Sequence, residues 1–260
     1  MIRYNYHTHT NFSDGKNSPE EVIQAAINLG FTSIGISDHA YTDFCTHWVT
    51  PRSRMDEYIE VLYQLKENYA DKINVFVGIE QDAFSDPVSE KFEYAIGSVH
   101  WVKKGEKYIA LDANRETLEH AIETYYDGDA DALAEEYFAL VASYAADPKI
   151  SIVGHFDLIT KFDEKGTPLF RPTPRYTAAW QAAAKKLLDA GKIFEINTGA
   201  ISRGHRTTPY PSEEILAFLG EHGAKAILGS DSHSADTLDC AFLQAEELAK
   251  KYGILLVDLF

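Results

Sequence analysis

Strand-like and helix-like segments alternate along this 260-residue chain, and that alternation restricts the fold more than any other feature. Strand candidates are "RYNYHTH" (3–9), "TSIGISDH" (32–39), "INVFVGIEQ" (73–81), "EYAIGSVHW" (93–101), "ISIVGHFD" (150–157), "KIFEINTGA" (192–200) and "KAILGSDSH" (225–233). Helical patterns fall between them. "SPEE" opens the first, with Ser18 as N-cap, Pro19 in the first turn and Glu21 closing a capping box. A second spans about Ser53 to Tyr69, and 115–147 reads as helical, its stripe of Leu133, Tyr137, Leu140, Val141 and Tyr144 marking core. Thr173 and Pro174 start another, Ser212 the next, and the last covers roughly 237–251 before "ILLVDLF". Such βα units imply a parallel sheet covered by helices. Seven in succession, with no repeat or flexible linker, predict a TIM-like barrel in a single domain, 1–260. An open doubly wound sheet is the alternative, weakened because no Gly-rich dinucleotide fingerprint follows the first strand.

Composition narrows the class of function. There are 24 Lys and Arg against 40 Asp and Glu, a formal net charge of -16. That field repels phosphate backbones and argues against long nucleic acid as a partner. A small anion is still accommodated where metals or a few local cations reverse the sign. The two cysteines, Cys45 and Cys240, have no metal-type spacing and suit a reducing compartment. With no basic-then-apolar leader and no apolar run approaching the ~20 residues of a membrane span, the expected location is the cytoplasm.

The strand ends carry the chemistry. The first ends in His7 and His9, the second in Asp38 and His39, the third in Glu80 and the fourth in His100. The fifth ends in His155 and Asp157 and the seventh in Asp231 and His233. In a parallel barrel all these ends open on one face, where active sites are built. His7 and His9, two apart on a strand, project to the same side and offer two imidazoles from one rigid element. A single histidine at a strand end is ordinarily structural, but chance would scatter such residues over helices and loops as well. The nitrogen and carboxylate donors suit zinc, manganese or iron. About nine ligands exceed what one ion takes, so two or three divalent ions are expected, with Glu80 or Asp231 as a bridge.

With "HTHTNFSDG", "GISDHA", "GIEQD", "GSVHW", "GHFD" and "GSDSHS" in this order, the chain resembles the PHP family, named for polymerase and histidinol phosphatase domains. "SDHAYTDF", "GHFDLITKF" and "EINTGAISRGHRTTPYPS" make it most similar to the histidinol-phosphatase branch. The resemblance implies a distorted (β/α)7 barrel with a trinuclear site. One metal would take His7, His9, Glu80 and Asp231, the second Glu80, His100 and His155, and the third Asp14, His39 and His233. Asp14 fills a place that is histidine in some members.

The implied activity is metal-dependent hydrolysis of L-histidinol phosphate to L-histidinol and phosphate, in histidine biosynthesis. A metal-bridging hydroxide would attack phosphorus, so no Ser or Cys nucleophile is required. Arg203 is the first choice of phosphate clamp and Arg206 the second, since guanidinium makes two-pronged contacts to phosphate. Lys161 stands near where the branch often has arginine and supplies a point charge. Asp231 is the candidate proton donor to the leaving alkoxide, and Asp38 and Asp157 either orient ligand histidines or tie loops. Phe44, His47, Trp48 and Trp101 are candidate pocket walls for an imidazole ring. The alternatives are a PHP-type phosphoesterase acting on nucleotides, oligonucleotide ends or another small phosphate ester, an amidohydrolase, and a metal-bound domain without catalysis. Amidohydrolases commonly carry a metal-bridging lysine, which no strand end here supplies.

Overall fold

The computed structural model describes residues 2–260. Its principal sheet is wholly parallel, with β1 (Tyr4–Asn5), β2 (Ser33–Ile36), β3 (Asn74–Asp82) and β4 (Tyr94–Ser98) in chain order. A separate antiparallel hairpin follows, β5 (Trp101–Lys104) and β6 (Lys107–Ala110), and the parallel order resumes with β7 (Ile152–Val153), β8 (Ile193–Asn197), β9 (Lys225–Gly229) and β10 (Leu255–Leu256). The helices are α1 (Pro19–Asn28), α2 (Met55–Asn68), α3 (Arg115–Tyr125), α4 (Ala130–Ser143), α5 (Pro174–Asp189), α6 (Gly199–Ser202), α7 (Glu213–Glu221) and α8 (Phe242–Tyr252). The distorted (β/α)7 barrel is thus present, with an eighth short strand at its seam. At the C-terminal end of that seam Thr8 bridges Ser232, and the His9 N–H donates to Ser232 O at 2.8 Å. At the other end β10 pairs with β9.

Side chains alternate across the strands and give the barrel two cores. Ile34, Ile36, Val75, Val77 and Ile79 belong to the large core shared with the helices. Tyr4, Tyr6, Tyr94, Ile96, Ile152 and Ile227 fill the interior instead. Room for Tyr94 comes from glycine: a Cβ on Gly78 would lie 2.1 Å from its ring, and one on Gly35 2.1 Å from its hydroxyl. The Tyr94 hydroxyl donates to Tyr6 O at 2.6 Å, which ties this plug to the strand that leads into His7.

The helix signals at Ser18 and Thr173 act as expected, each side chain accepting from the backbone N–H three residues on. The expected helix over 115–147 is two helices. Asp127 and Gly128 take positive φ, and Asp129 caps α4 by accepting from Ala132 N–H. A 3-10 turn, Arg52–Arg54, precedes α2, and α8 begins at Phe242 because Ala241 takes φ 58 before it. The 101–110 hairpin, turning at Gly105 with φ 58, was not expected from the strand pattern.

Candidate metal centre and cavity

Parallel pairing delivers the strand ends to one place. Glu80, on β3, is the hub: Oε1 lies 3.4 Å from His7 Nε2, 3.5 Å from His100 Nε2 and 2.9 Å from His155 Nε2. Its Oε2 lies 2.8 Å from His39 Nδ1 and 3.5 Å from His9 Nε2. Beside it Asp14 Oδ1 lies 3.2 Å from His233 Nε2 and 3.7 Å from His39 Nε2, while Asp231 Oδ1 is 3.4 Å from His9 Nε2. All nine residues expected as ligands therefore meet in one cluster. Asp231 is held there with φ 47, a left-handed conformation that costs a non-glycine residue energy.

The donor set fits divalent cations. His7 Nε2 and both ring nitrogens of His9 are buried without a hydrogen-bond partner, a cost that a coordinated ion removes. Three groups bring one donor atom per residue within 4.8 Å of each other: His7, His9 and Glu80; His39, Glu80 and His100; and His9, Asp14, His39 and His233. All three depart from the expected partition. His9 joins the Asp14 group and His39 the His100 group, while His155 and Asp231 stand beside the groups. Burial disfavours protonation of His9, as do His233 and His39, and its proton affinity falls well below the usual histidine range.

Two carboxylates that sequence reasoning missed support the cluster from behind. Glu195, on β8 and 0% exposed, accepts from His7 Nδ1 at 2.6 Å, His155 N–H at 2.9 Å and Asn197 Nδ2 at 2.9 Å. A Cβ on Gly229 would lie 1.8 Å from its Oε1, so the neighbouring strand leaves it space only as glycine. Asp82 accepts from His100 N–H at 2.8 Å and lies 3.4 Å from His100 Nδ1. The signal was an acid inside the apolar run "KIFEI" and a second acid two residues beyond Glu80. Asp38 and Asp157 take the loop-tying alternative. Asp38 accepts from Thr10 N–H at 2.7 Å and Thr10 Oγ1 at 2.6 Å, and Asp157 from Ser212 N–H at 3.0 Å.

A cavity of about 420 Å³ opens over the cluster, and its lining includes Cys45, His47, Trp48, Trp101, Asp112, Leu158, Lys161 and Arg203. Arg203 forks onto Asp231, Nη2 to Oδ2 at 2.9 Å and Nη1 to Oδ1 at 3.3 Å. Burial acts against ionisation of Asp231, but Arg203 and His7 outweigh it and hold the carboxyl well below its usual range. Lys161 donates to Asp112 O at 2.8 Å and Oδ2 at 3.2 Å. Arg206 is corrected. It does not line the cavity; it is 7% exposed, donates to Thr160 Oγ1 at 2.6 Å and Thr208 Oγ1 at 3.2 Å, and lies over the Tyr210 ring. Phe44 is likewise outside the lining and stacks on Tyr108, bracing Trp101 from behind.

A parallel α/β barrel with a histidine and carboxylate cluster at its C-terminal mouth defines a metal-binding barrel of the hydrolase type. The chain belongs to the PHP family: the model described as "PHP domain" matches residues 5–199. An uncharacterized protein of Methanocaldococcus jannaschii is 40% identical, over 97% of this chain and 89% of its own length. A histidinol-phosphatase of Bacillus subtilis is 24% identical, over 93% of this chain and 97% of its own. Among solved structures, histidinol phosphate phosphatase of Lactococcus lactis, complexed with Zn, L-histidinol and phosphate, superposes with a TM-score of 0.71 at 19% identity. It covers 98% of this chain and 95% of that one. Among the described residues no helix is long and apolar enough to cross a membrane.

Proposed function

We propose that this chain is a metal-dependent phosphomonoesterase that hydrolyses L-histidinol phosphate to L-histidinol and phosphate, a step of histidine biosynthesis. The observation that carries the reading is the gathering of nine donor residues, Glu80 at their hub, beneath a cavity with two cationic side chains, Arg203 and Lys161. The names of the B. subtilis and L. lactis relatives support the substrate. The three donor groups support two to three divalent ions, and the zinc in the L. lactis structure favours zinc over manganese or iron. Residues 1–260 act as one catalytic unit, and the cytoplasm, favoured by the two unpaired cysteines, is its location.

Bound divalent ions supply Lewis acidity toward phosphoryl oxygens and acidify water. The protein does the rest. His7, His9, His39, His100, His155, His233, Asp14, Glu80 and Asp231 would hold the ions, with Glu80 shared by two of the donor groups. Arg203 and Lys161 draw the phosphoryl group over the cluster and orient it, as fixed positive charge does without reorganising. Asp231, its carboxyl held below the usual range by Arg203 and His7, would take the proton given up by the attacking water and pass it to the leaving oxygen. Trp101 and His47 enclose the organic part of the ester.

The test is phosphate release by protein loaded with Zn, Mn or Fe, from L-histidinol phosphate beside a panel of nucleotides and sugar phosphates. Clear preference for L-histidinol phosphate is expected. Equal turnover across the panel, or turnover of nucleotides alone, overturns the substrate assignment.

A further inference from the structure

One carboxylate in the cavity is left unused by the cluster. Of the three that line it, Asp14 faces His39 and His233, and Asp231 is spent on Arg203 and His9. Asp112 stands apart, on the segment that leaves β6. The hairpin fixes it there, because the Leu111 N–H donates to His100 O at 2.9 Å and binds the return strand to a cluster histidine. Its side chain is 30% exposed, and only one oxygen, Oδ2, meets a cation, Lys161 Nζ at 3.2 Å. Among the described residues Oδ1 has no hydrogen-bond donor.

Resting on the reading of the substrate as an aminoalkyl phosphate, we infer that Asp112 is the specificity-determining residue that receives the substrate's ammonium group. The chemistry of the pair matches that of the ligand. In L-histidinol phosphate the amino group sits on the carbon next to the ester methylene, so a cation and an anion lie side by side. Lys161 and Asp112 present an anion and a cation binder side by side in the same wall. Lys161 faces the phosphoryl group and the free oxygen of Asp112 faces the ammonium. The carboxylate also serves against other substrates: a phosphate ester lacking a cation leaves Asp112 desolvated and half-paired, which penalises it. Trp48 and Trp101, whose rings lie parallel within 6°, wall the same cavity and complete it for an aromatic substituent.

The experiment compares L-histidinol phosphate with the analogue in which hydrogen replaces the amino group, on metal-loaded wild type and Asp112→Asn. The asparagine keeps the shape and the acceptor for Lys161. The expected result is that wild type prefers the amino ester and that the variant loses this preference by on the order of 10- to 100-fold, the size of one charge-assisted contact. Turnover of the analogue by the variant serves as its folding control. A variant whose two kcat/KM values shift by the same factor assigns Asp112 only to holding Lys161 and overturns the inference. So does a wild type that turns over both esters equally well. A wild type that turns over neither, while hydrolysing other phosphates, refutes the substrate reading itself and the inference with it.

Discussion

Glu195 Oε1 accepts the Nδ1 proton of His7 across 2.6 Å, with both side chains fully buried. That contact selects the tautomer of His7, leaving Nε2 directed at Glu80. Desolvation opposes protonation of His7, but Glu195, Glu80 and Asp231 outweigh it and raise its proton affinity well above the usual range. The same carboxylates favour a metal cation in place of that proton. Glu195→Gln keeps the volume and removes the charge. Zinc affinity is expected to fall about 10- to 100-fold, as for other carboxylates behind metal-ligating histidines. Competitive zinc titration measures it, and the 15N shifts of His7 report the tautomer in the absence of turnover. Unaltered affinity and tautomer would show that the contact only fills space.

Arg203 and Arg206, three residues apart, are expected to separate cleanly when removed. Arg203→Ala should lower kcat/KM for the phosphate ester by on the order of 10- to 100-fold while metal content, measured by atomic emission, is retained. Arg206→Ala removes the donor to Thr160 and Thr208 and the cation over Tyr210. Its cost falls on folding, about 2–4 kcal/mol in urea denaturation, with the folded fraction still turning over substrate. The reverse pattern would return Arg206 to the cavity.

These two arginines also show what the sequence made legible. The barrel and eight of the nine clustered residues could be read because parallel topology turns a linear list of strand ends into one face; Asp14, on the loop after the first strand, came from the family resemblance alone. The direction of Arg206 could not, because a loop side chain is placed by its partners. Thr160 and Glu164 meet it from another loop, more than forty positions away. Glu195 was missed for a different reason. It sits inside a strand rather than at its end, so the strand-end rule passed over it; its one local mark, an acid within an apolar run, says that it is buried but not that it meets His7. The break at Asp127 and Gly128 escaped because the stripe that marks the helix, Leu133 to Tyr144, lies wholly beyond it and carries no information about the turn.

Acid should loosen the loop that carries Arg203 and Arg206. Glu164 accepts from Thr207 Oγ1 at 2.8 Å and Thr208 N–H at 3.3 Å, and lies 3.5 Å from Arg206 Nε. Burial raises the Glu164 pKa, but the bonds from Thr208 and Thr207 and the charge of Arg206 outweigh it and leave it lowered. A lowered folded value means that the unfolded state binds the proton more readily. The stabilisation is whole above the unfolded value of about 4.3 and is lost as pH falls through the lower folded value. Across that acid window wild type should lose more stability than Glu164→Gln, measured by urea denaturation at stepped pH. Parallel losses would place the acid sensitivity elsewhere.

Metal removal should be felt as stability before it is felt as structure. Without an ion, the cluster holds Glu80, Asp14 and Asp231 among six imidazoles, several with buried nitrogens that find no partner. An ion that binds only the folded chain adds RT ln(1 + [L]/Kd), about 2.7 kcal/mol at a hundredfold excess over Kd. A chelator should therefore lower the melting temperature of wild type, and zinc should restore it. Glu80→Gln removes the negative hub between the donor groups, so the variant should hold little zinc, lack turnover and show almost no response to chelator. His7→Ala should behave alike, since it takes away one of two imidazoles from the first strand. If Glu80→Gln retained full zinc content and full phosphatase turnover, Glu80 would be a spectator, and the ions would have to bind through the Asp14 group alone.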